Sequence, residues 1–530
     1  MKQTDAPAVD ICLLLEGTYP YVSGGVSTWV HQIITAMPQV TFGIFYIGSE
    51  KGEDTSYKYE IPENVLVLEE LYLFERTPTV KKRAVPASWN AIYALLRNLF
   101  ELAPRGDAQE LSLMGPLADH LLRHPGIAFE DFYHAPQTWS VLQEVYERYA
   151  PEESFLHFFW TARYLIEPLW KLMHALPRIP QAKVYHTACT GYAGFLGALV
   201  AQQQGRPLIL SEHGIYLRER IQDIWRSRWI QDSLTLHPSL TDSIGTLRQA
   251  WMRTFDVLGR WCYHQSAHVI SLFNRNAAIQ HHFGADLSRI RVIPNGIAVE
   301  ACEPLYQQRL ERRKANATSR VVGFLGRIVP IKDVKTLLRA ARRVCDALPD
   351  TQFLLAGPLE EAPDYARECT QLATQLGLKD QVHFLGLRQR DEVLPLMDVM
   401  ALTSVSEGLP FVMLEAMACG IPIVSTDVGA CRELLEGQPA EQPRLSACGL
   451  VTEVGDSDQM AQALIALLVS HEIQDRLGLI GRERVYRSYH ESRTLGAYWE
   501  MYRNLAHAEA TAPASTPKEA RPSPMTALPV

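Results

Sequence analysis

Short apolar runs alternate with amphipathic stretches along most of the chain, and the alternation breaks off in one place. Residues 9–15 (VDICLLL) form a short run apolar at every position but Asp10, as in a strand buried on both faces. A turn-rich loop over 16–25 follows, then a helical stretch over 29–37 and a second apolar run over 40–47. Strand, glycine loop, helix, strand is how a parallel α/β domain opens. From about 75 to 180 the pattern is helical instead, with segments near 114–124, 141–149 and 154–176. The last of these carries Phe155, Phe158, Phe159, Trp160, Leu165, Ile166, Leu169, Trp170 and Met173, too many for an exposed helix. The pattern predicts an elaboration packed on the first domain, with a docking face for a partner protein as the alternative.

Alternation then resumes, with strands at 183–186, 208–211, 268–271 and 291–293, a helix at 192–203 and a turn at Pro294-Asn295-Gly296. The stretch 301–319 is polar, with Glu311, Arg312, Arg313 and Lys314, and reads as the linker that ends a first domain at about residue 310. A second α/β run follows over 320–490. Its strands are expected at 320–325, 352–356, 382–384, 399–402, 421–424 and 449–452. Its helices are expected at 333–346, 364–376, 391–397, 411–419, 458–470 and 472–487, and another at 491–507. The tail over 508–530 is rich in Ala, Pro, Ser and Thr and is expected to be disordered. The fold class is therefore α/β: two Rossmann-like doubly wound domains facing across a cleft, the first with a helical elaboration. In open α/β sheets ligands bind beyond the carboxyl ends of the strands, so both domains should present their loops to one cleft.

A chain of 530 residues exceeds what one core usually serves, in keeping with two domains. The formal net charge of −8 argues against a general nucleic-acid binder. Nine cysteines, at 12, 189, 262, 302, 345, 369, 419, 431 and 448, are scattered and form no C-x-x-C pair. That fits a reducing compartment rather than a disulfide framework or a structural zinc site. No stretch approaches the roughly 18 apolar residues of a membrane span, and residues 1–9 lack the layout of a signal peptide, so cytoplasmic residence is expected.

The chemistry concentrates in the second domain. Glu407 and Glu415 stand eight positions apart, separated by Gly408, Leu409, Pro410 and Phe411 and an apolar helix start. Pro is tolerated only in a helix's first turn, so Glu407 falls in the loop and Glu415 inside the helix. The backbone N–H groups from about Gly408 to Met413 are then free of helical partners and form an anion seat. An anion seat between two carboxylates suits a nucleotide sugar, with Glu415 on ribose hydroxyls and Glu407 on hydroxyls of the donor sugar. Gly326 ends a strand and delivers Arg327 to the cleft, and Lys332 follows five residues later. A planar fork and a mobile point charge at that spacing hold a diphosphate from two sides and offset the charge of its departure.

In the first domain Gly24 and Gly25 lie between the first strand and its helix, where backbone approaches a phosphate or acceptor; this is not the G-x-G-x-x-G dinucleotide fingerprint. His213, in Ser211-Glu212-His213-Gly214, follows an apolar strand and is placed for donor-sugar contact. Asp456-Ser457-Asp458 is a D-x-D, but it sits at a helix start where Asp caps, so no metal is implied. Residues 216–230 mix Arg218, Arg220, Arg226 and Arg228 with Trp225 and Trp229, which suits an acceptor path, a membrane surface or a helix covering the cleft.

Residues 320–490 resemble the retaining glycosyltransferases of GT-B fold, sequence family 4, through Gly326-Arg327, Lys332, Phe384-Leu385-Gly386 and the run Glu407 to Glu415. The resemblance implies that the loop at Leu387 and Arg388 contacts the nucleotide base and that the last helix crosses back to the first domain. The first domain, through residues 15–29 and Ser211-Glu212-His213-Gly214, is similar to the cytoplasmic glycosyltransferases of Pel exopolysaccharide synthesis. That resemblance implies a UDP-sugar donor such as UDP-glucose or a UDP-N-acetylhexosamine, a polysaccharide acceptor of the biofilm matrix, and assembly with inner-membrane Pel synthase components. The expected activity is sugar transfer from a UDP-sugar with retention and without a metal or other cofactor. A UDP-sugar epimerase of GT-B shape and a non-catalytic scaffold of a membrane synthase are the alternatives.

Overall fold

The computed structural model describes residues 7–52, 56–75, 90–101, 108–124, 127–227, 229–230, 245–315, 320–438 and 441–508. Two wholly parallel sheets form its frame. The first has seven strands: β1 (Val9–Glu16), β2 (Phe42–Gly48), β3 (Val65–Tyr72), β4 (Ala182–Thr187), β5 (Leu208–Glu212), β6 (Ser266–Ser271) and β7 (Ile290–Val292), in the order β3-β2-β1-β4-β5-β6-β7. The second has six: β8 (Arg320–Leu325), β9 (Thr351–Ala356), β10 (Val382–Gly386), β11 (Val399–Leu402), β12 (Ile423–Thr426) and β13 (Gly449–Thr452), in the order β10-β9-β8-β11-β12-β13. Strand order reverses between β1 and β4 in one sheet and between β8 and β11 in the other, the mark of doubly wound domains.

Both faces of each sheet are covered, which is why the strands read as unbroken apolar runs. In β1, Cys12 and Leu14 join one core while Ile11, Leu13 and Leu15 join the core on the opposite face. The first core holds the helical elaboration: Phe158, Leu165 and Trp170 pack with Phe195, Leu199 and Leu210 of the first domain. Within it the described helices are Asn90–Phe100, Ala108–Arg123, Phe129–Tyr133, Pro136–Tyr149 and Phe155–Ala175. The expected tail beyond 508 lies outside the described residues.

Three differences from the sequence expectations have physical causes. Most of the expected linker at 301–319 is helical: the helix Glu303–Ala315 belongs to the second domain, and residues 316–319 lie outside the described residues. The buried side of that helix includes an arginine. Arg309 is 1% exposed and donates from Nε to the carbonyl of Met397 at 3.0 Å. The strand β3 was missed because it is an edge strand, largely half-buried, carrying Glu69 and Glu70. The helix Thr246–Gln265 was missed as well; it buries Leu247, Trp251, Phe255 and Trp261 between interspersed arginines.

The chain returns to the first domain at its end. Ile297 donates to the carbonyl of Tyr489, and Glu491 donates to the carbonyl of Ile297, both at 2.9 Å. The helix Glu491–Ala508 then lays Tyr498, Met501 and Tyr502 into the core beside Trp29, Phe42 and Val184. A buried polar relay fixes it there: His186 Nδ1 is 2.6 Å from the Tyr502 hydroxyl, His186 Nε2 is 2.8 Å from Ser211 Oγ, and Ser211 Oγ is 2.9 Å from the Tyr498 hydroxyl. Replacing Tyr502 with Phe leaves His186 Nδ1 buried without a partner and is expected to cost about 1–3 kcal/mol. The check is the thermal unfolding midpoint, and an unchanged midpoint would show that the relay does not hold the helix.

Candidate active site between the two sheets

The switch point of the second sheet sends out two loops. The first leaves β8 at Gly326, whose N–H donates to the Ala356 carbonyl at 2.9 Å. It continues through Arg327 to Lys332, in the 3-10 turn Pro330–Lys332. The second leaves β11 and runs to Pro410, which caps the helix Phe411–Ala418. The loops are stitched together: Val405 donates to the Ile331 carbonyl at 2.8 Å, and Thr403 Oγ1 donates to the Lys332 carbonyl at 3.0 Å. Thr426 Oγ1 holds the second loop to β12 by donating to the Ser404 carbonyl at 2.6 Å.

That stitching brings Lys332 and Glu407 together, 75 residues apart in sequence, with Nζ donating to Oε1 at 2.6 Å. Ser404 Oγ donates to the same oxygen at 2.5 Å. The side chains are 16% and 11% exposed, so this pair is shielded from solvent. An ammonium has three protons and Glu407 takes one, which leaves Lys332 donors for an anion. Arg327 differs: it pairs with Glu361 at 2.9 Å, with both side chains about half exposed. Exposed pairs are worth about 0–1 kcal/mol, so Arg327 is cheap to redirect.

Glu415 lies in the second turn of the helix Phe411–Ala418 and accepts from Arg390 Nη1 at 2.6 Å. Burial pushes its carboxyl above the usual range, and the Arg390 charge works against that shift. Sequence reading missed Arg390, because its partner is 25 positions away; the available signal was a second arginine two residues past Arg388. Leu387 and Arg388 sit exposed on that loop, with Arg388 3.7 Å from Glu392. The anion seat is shorter than expected, since the Met413 N–H already donates to the Pro410 carbonyl at 3.1 Å.

The first domain supplies the facing wall. Gly24 is the extended cap of the helix Gly25–Ala36, and a Cβ on Gly25 would lie 3.9 Å from the Phe411 ring of the second domain. A Cβ on Gly408 would overlap the carbonyl oxygen of His213, so the Glu407–Pro410 loop rests directly on the loop after β5. The His213 ring packs edge-on against Trp29 at 4.5 Å. Burial pushes its pKa down to about 3, which leaves the imidazole neutral. Its Nε2 is buried and has no partner among the described residues. Beside it Glu212 is buried and receives hydrogen bonds from Tyr263 at 2.6 Å and Gln280 at 3.0 Å.

Two contacts across the cleft have no sequence signal. Glu433 of the second domain accepts from the backbone N–H groups of Asn274 and Arg275 at 3.3 and 3.1 Å, capping the helix Asn274–His282 of the first. Arg275 also approaches Asp427 at 3.6 Å. Between the domains lies a cavity of about 70 Å³, lined by Gly214, Arg218, Glu219 and Arg275 on one side and Ser406 and Glu407 on the other. Asp456 is occupied as a cap, its Oδ1 accepting from Asp458 and Gln459 N–H groups, both at 2.9 Å. Trp225 is exposed, and Arg228 lies outside the described residues.

The site thus brings cations and the N–H groups of a helix start, groups of the kind that hold an anion, together with carboxylates, which accept from donors such as hydroxyls. Comparison with known proteins agrees with this architecture. Residues 319–470 match the family model described as glycosyl transferases group 1, and residues 9–288 match one described as a domain of unknown function, DUF3492. A D-inositol 3-phosphate glycosyltransferase of Corynebacterium jeikeium (strain K411) is 27% identical over 312 residues, 54% of this chain and 71% of the relative. An N-acetyl-alpha-D-glucosaminyl L-malate synthase of Bacillus anthracis is 31% identical over 175 residues, 32% of this chain and 42% of the relative. Among solved structures, Anabaena Alr3699/HepE in complex with UDP aligns with a TM-score of 0.54 at 17% identity, over 93% of this chain and all of that one. Sucrose-phosphate synthase from Thermosynechococcus elongatus aligns at 0.57 and 16%, over 94% of this chain and all of that one. At those identities the two structures show the shared two-domain fold alone. The chain is a glycosyltransferase of GT-B fold that belongs, through the domain spanning residues 9–288, to the DUF3492 family.

Proposed function

We propose that the protein transfers a hexose or N-acetylhexosamine from a UDP-sugar to a growing exopolysaccharide, with retention at the anomeric carbon. The observation that carries this reading is the convergence of Lys332, Glu407 and the start of the helix Phe411–Ala418 on one switch point, facing Gly25 of the other domain. Arg327 and Lys332 hold the diphosphate, Glu415 with Arg390 takes the ribose, Leu387 and Arg388 border the base, and Glu407 takes hydroxyls of the donor sugar. The solved complexes of Anabaena Alr3699/HepE with UDP and with UDP-glucose support a nucleotide-sugar donor for this fold.

In the proposed reaction the bond from the anomeric carbon to the UDP oxygen breaks, and a bond to the acceptor oxygen forms on the same face. The acceptor's proton passes to the departing phosphate oxygen. Arg327, Lys332 and the helix N-terminus stabilise the charge that develops on that oxygen, so the step needs no metal ion. The similarity of residues 15–29 and Ser211-Glu212-His213-Gly214 to PelF supports a place in Pel exopolysaccharide synthesis, on the cytoplasmic side beside inner-membrane Pel components.

Replacing Glu415 with Ala is expected to weaken UDP binding ten- to hundredfold, about 1.5–3 kcal/mol, in calorimetric titration. Unchanged affinity would remove Glu415 from the ribose site. Replacing Lys332 with Ala is expected to lower turnover by about 10²–10³, measured as acceptor-dependent UDP release, and chelator should leave the wild-type rate unchanged. Product NMR is expected to show the donor's anomeric configuration; an inverted product refutes the same-face step. An epimerised UDP-sugar formed without acceptor would favour the epimerase reading, and polymer synthesis that survives Lys332→Ala would favour the scaffold.

A further inference from the structure

The first sheet has a second and larger cavity at its carboxyl edge, about 530 Å³, in the range of roughly 300–1,000 Å³ that small-molecule sites occupy. One helix, Tyr216–Arg226, separates it from the interdomain cleft. Arg218, Glu219 and Gln222 line the cleft, whereas Tyr216, Arg220, Asp223 and Ile224 line the cavity. That second set falls at i, i+4, i+7 and i+8, one face of a helix. The mixed basic and aromatic stretch of the sequence is thus divided between two compartments.

The cavity wall is aromatic. Trp251 and Phe255 lie near parallel, 21° apart with centroids at 6.2 Å, and Trp229 meets Trp251 edge-on at 5.2 Å. Polar groups interrupt it. Glu16, at the end of β1, accepts from the Tyr216 hydroxyl at 2.8 Å, and the Arg220 guanidinium lies over the Tyr216 ring at 5.1 Å. Two buried donors in this wall, Trp251 Nε1 and Arg220 Nε, have no acceptor among the described residues.

Flat aromatic faces with carboxylate and guanidinium groups at their edges match a pyranose ring, whose C–H faces stack while its hydroxyls bond outward. We propose that this cavity holds a sugar residue of the acceptor chain remote from its reacting end, the saccharide bridging the helix Tyr216–Arg226. The proposal rests on the polysaccharide-acceptor reading above and deepens it.

The test uses the full chain, with calorimetric titration of cellotetraose, chitotetraose, maltotetraose, farnesyl phosphate and, separately, UDP. One tetrasaccharide is expected to bind, with affinity at least tenfold weaker for Trp229→Ala and UDP affinity unchanged. Trp229 is 62% exposed, so the change removes no core. The assignment is overturned if none of the three tetrasaccharides binds, if Trp229→Ala binds as the wild type does, or if farnesyl phosphate binds in a Trp229-dependent way instead. Tetrasaccharide binding without UDP binding would uphold the cavity and remove the donor reading.

Discussion

Gly408 lies so close to the carbonyl oxygen of His213 that no Cβ fits between them. On its other side stands Gly429, at φ 54°, where a Cβ would overlap the carbonyl oxygens of Glu407 and Gly408. Ala430 then donates to the Gly408 carbonyl at 2.9 Å. The loop bearing Glu407 is therefore held between two backbone surfaces, one from each domain. This close stacking fixes the cleft width and leaves Glu407 within reach of Lys332. A side chain at either glycine would separate the sheets' carboxyl edges and part the groups they bring together.

The charges in the cleft divide by exposure. Lys332 with Glu407 is shielded, so its Coulomb attraction is strong and its geometry stable. Arg327 with Glu361 is half exposed and weakly held. In the proposed binding mode, a diphosphate arriving between them meets one fixed cation and one mobile cation. Arg390 plays a third part: it keeps the buried Glu415 carboxyl from being driven further towards its neutral form. An ionised carboxylate offers both oxygens as acceptors, whereas a protonated one turns one of them into a donor, so the missed arginine favours the form that suits hydroxyl donors. The chain's overall charge of −8 is no guide to this local field.

What could be read in advance follows from where the physical signal lies. The strands of the second sheet were legible because both faces are buried, as in β12, where Ile423 and Val424 enter opposite cores. The loop before Phe411 was legible because Gly408 and Pro410 exclude helix. The helix Glu303–Ala315 was not, because one of its buried side chains is Arg309, which counts as polar in any pattern. Glu407 and Glu415 could be singled out by the run they stand in, and Lys332 by its place after Gly326 and Arg327. The pairings could not, and Arg390 was missed, because Lys332 and Arg390 reach the two acids through loop geometry across 75 and 25 residues. The contact of Glu433 with the start of the helix Asn274–His282 depends on how two domains sit together, which no local pattern encodes.

His213 shows how burial limits chemistry even at a well-placed position. Trp29 packs against it and also lies 5.4 Å from His186 and 5.5 Å from Tyr498, so one aromatic cluster joins the cleft wall to the returning C-terminal helix. That cluster removes water from the imidazole and pushes its pKa down to about 3. At neutral pH only on the order of one ring in ten thousand then carries a charge. Such a group cannot protonate a departing oxygen, but as a neutral ring it can still give or take one hydrogen bond. The proposed same-face step, in which the proton passes between the substrates themselves, does not draw on this ring. The histidine's backbone carbonyl meets Gly408, and its ring packs on Trp29 to shape the wall behind it.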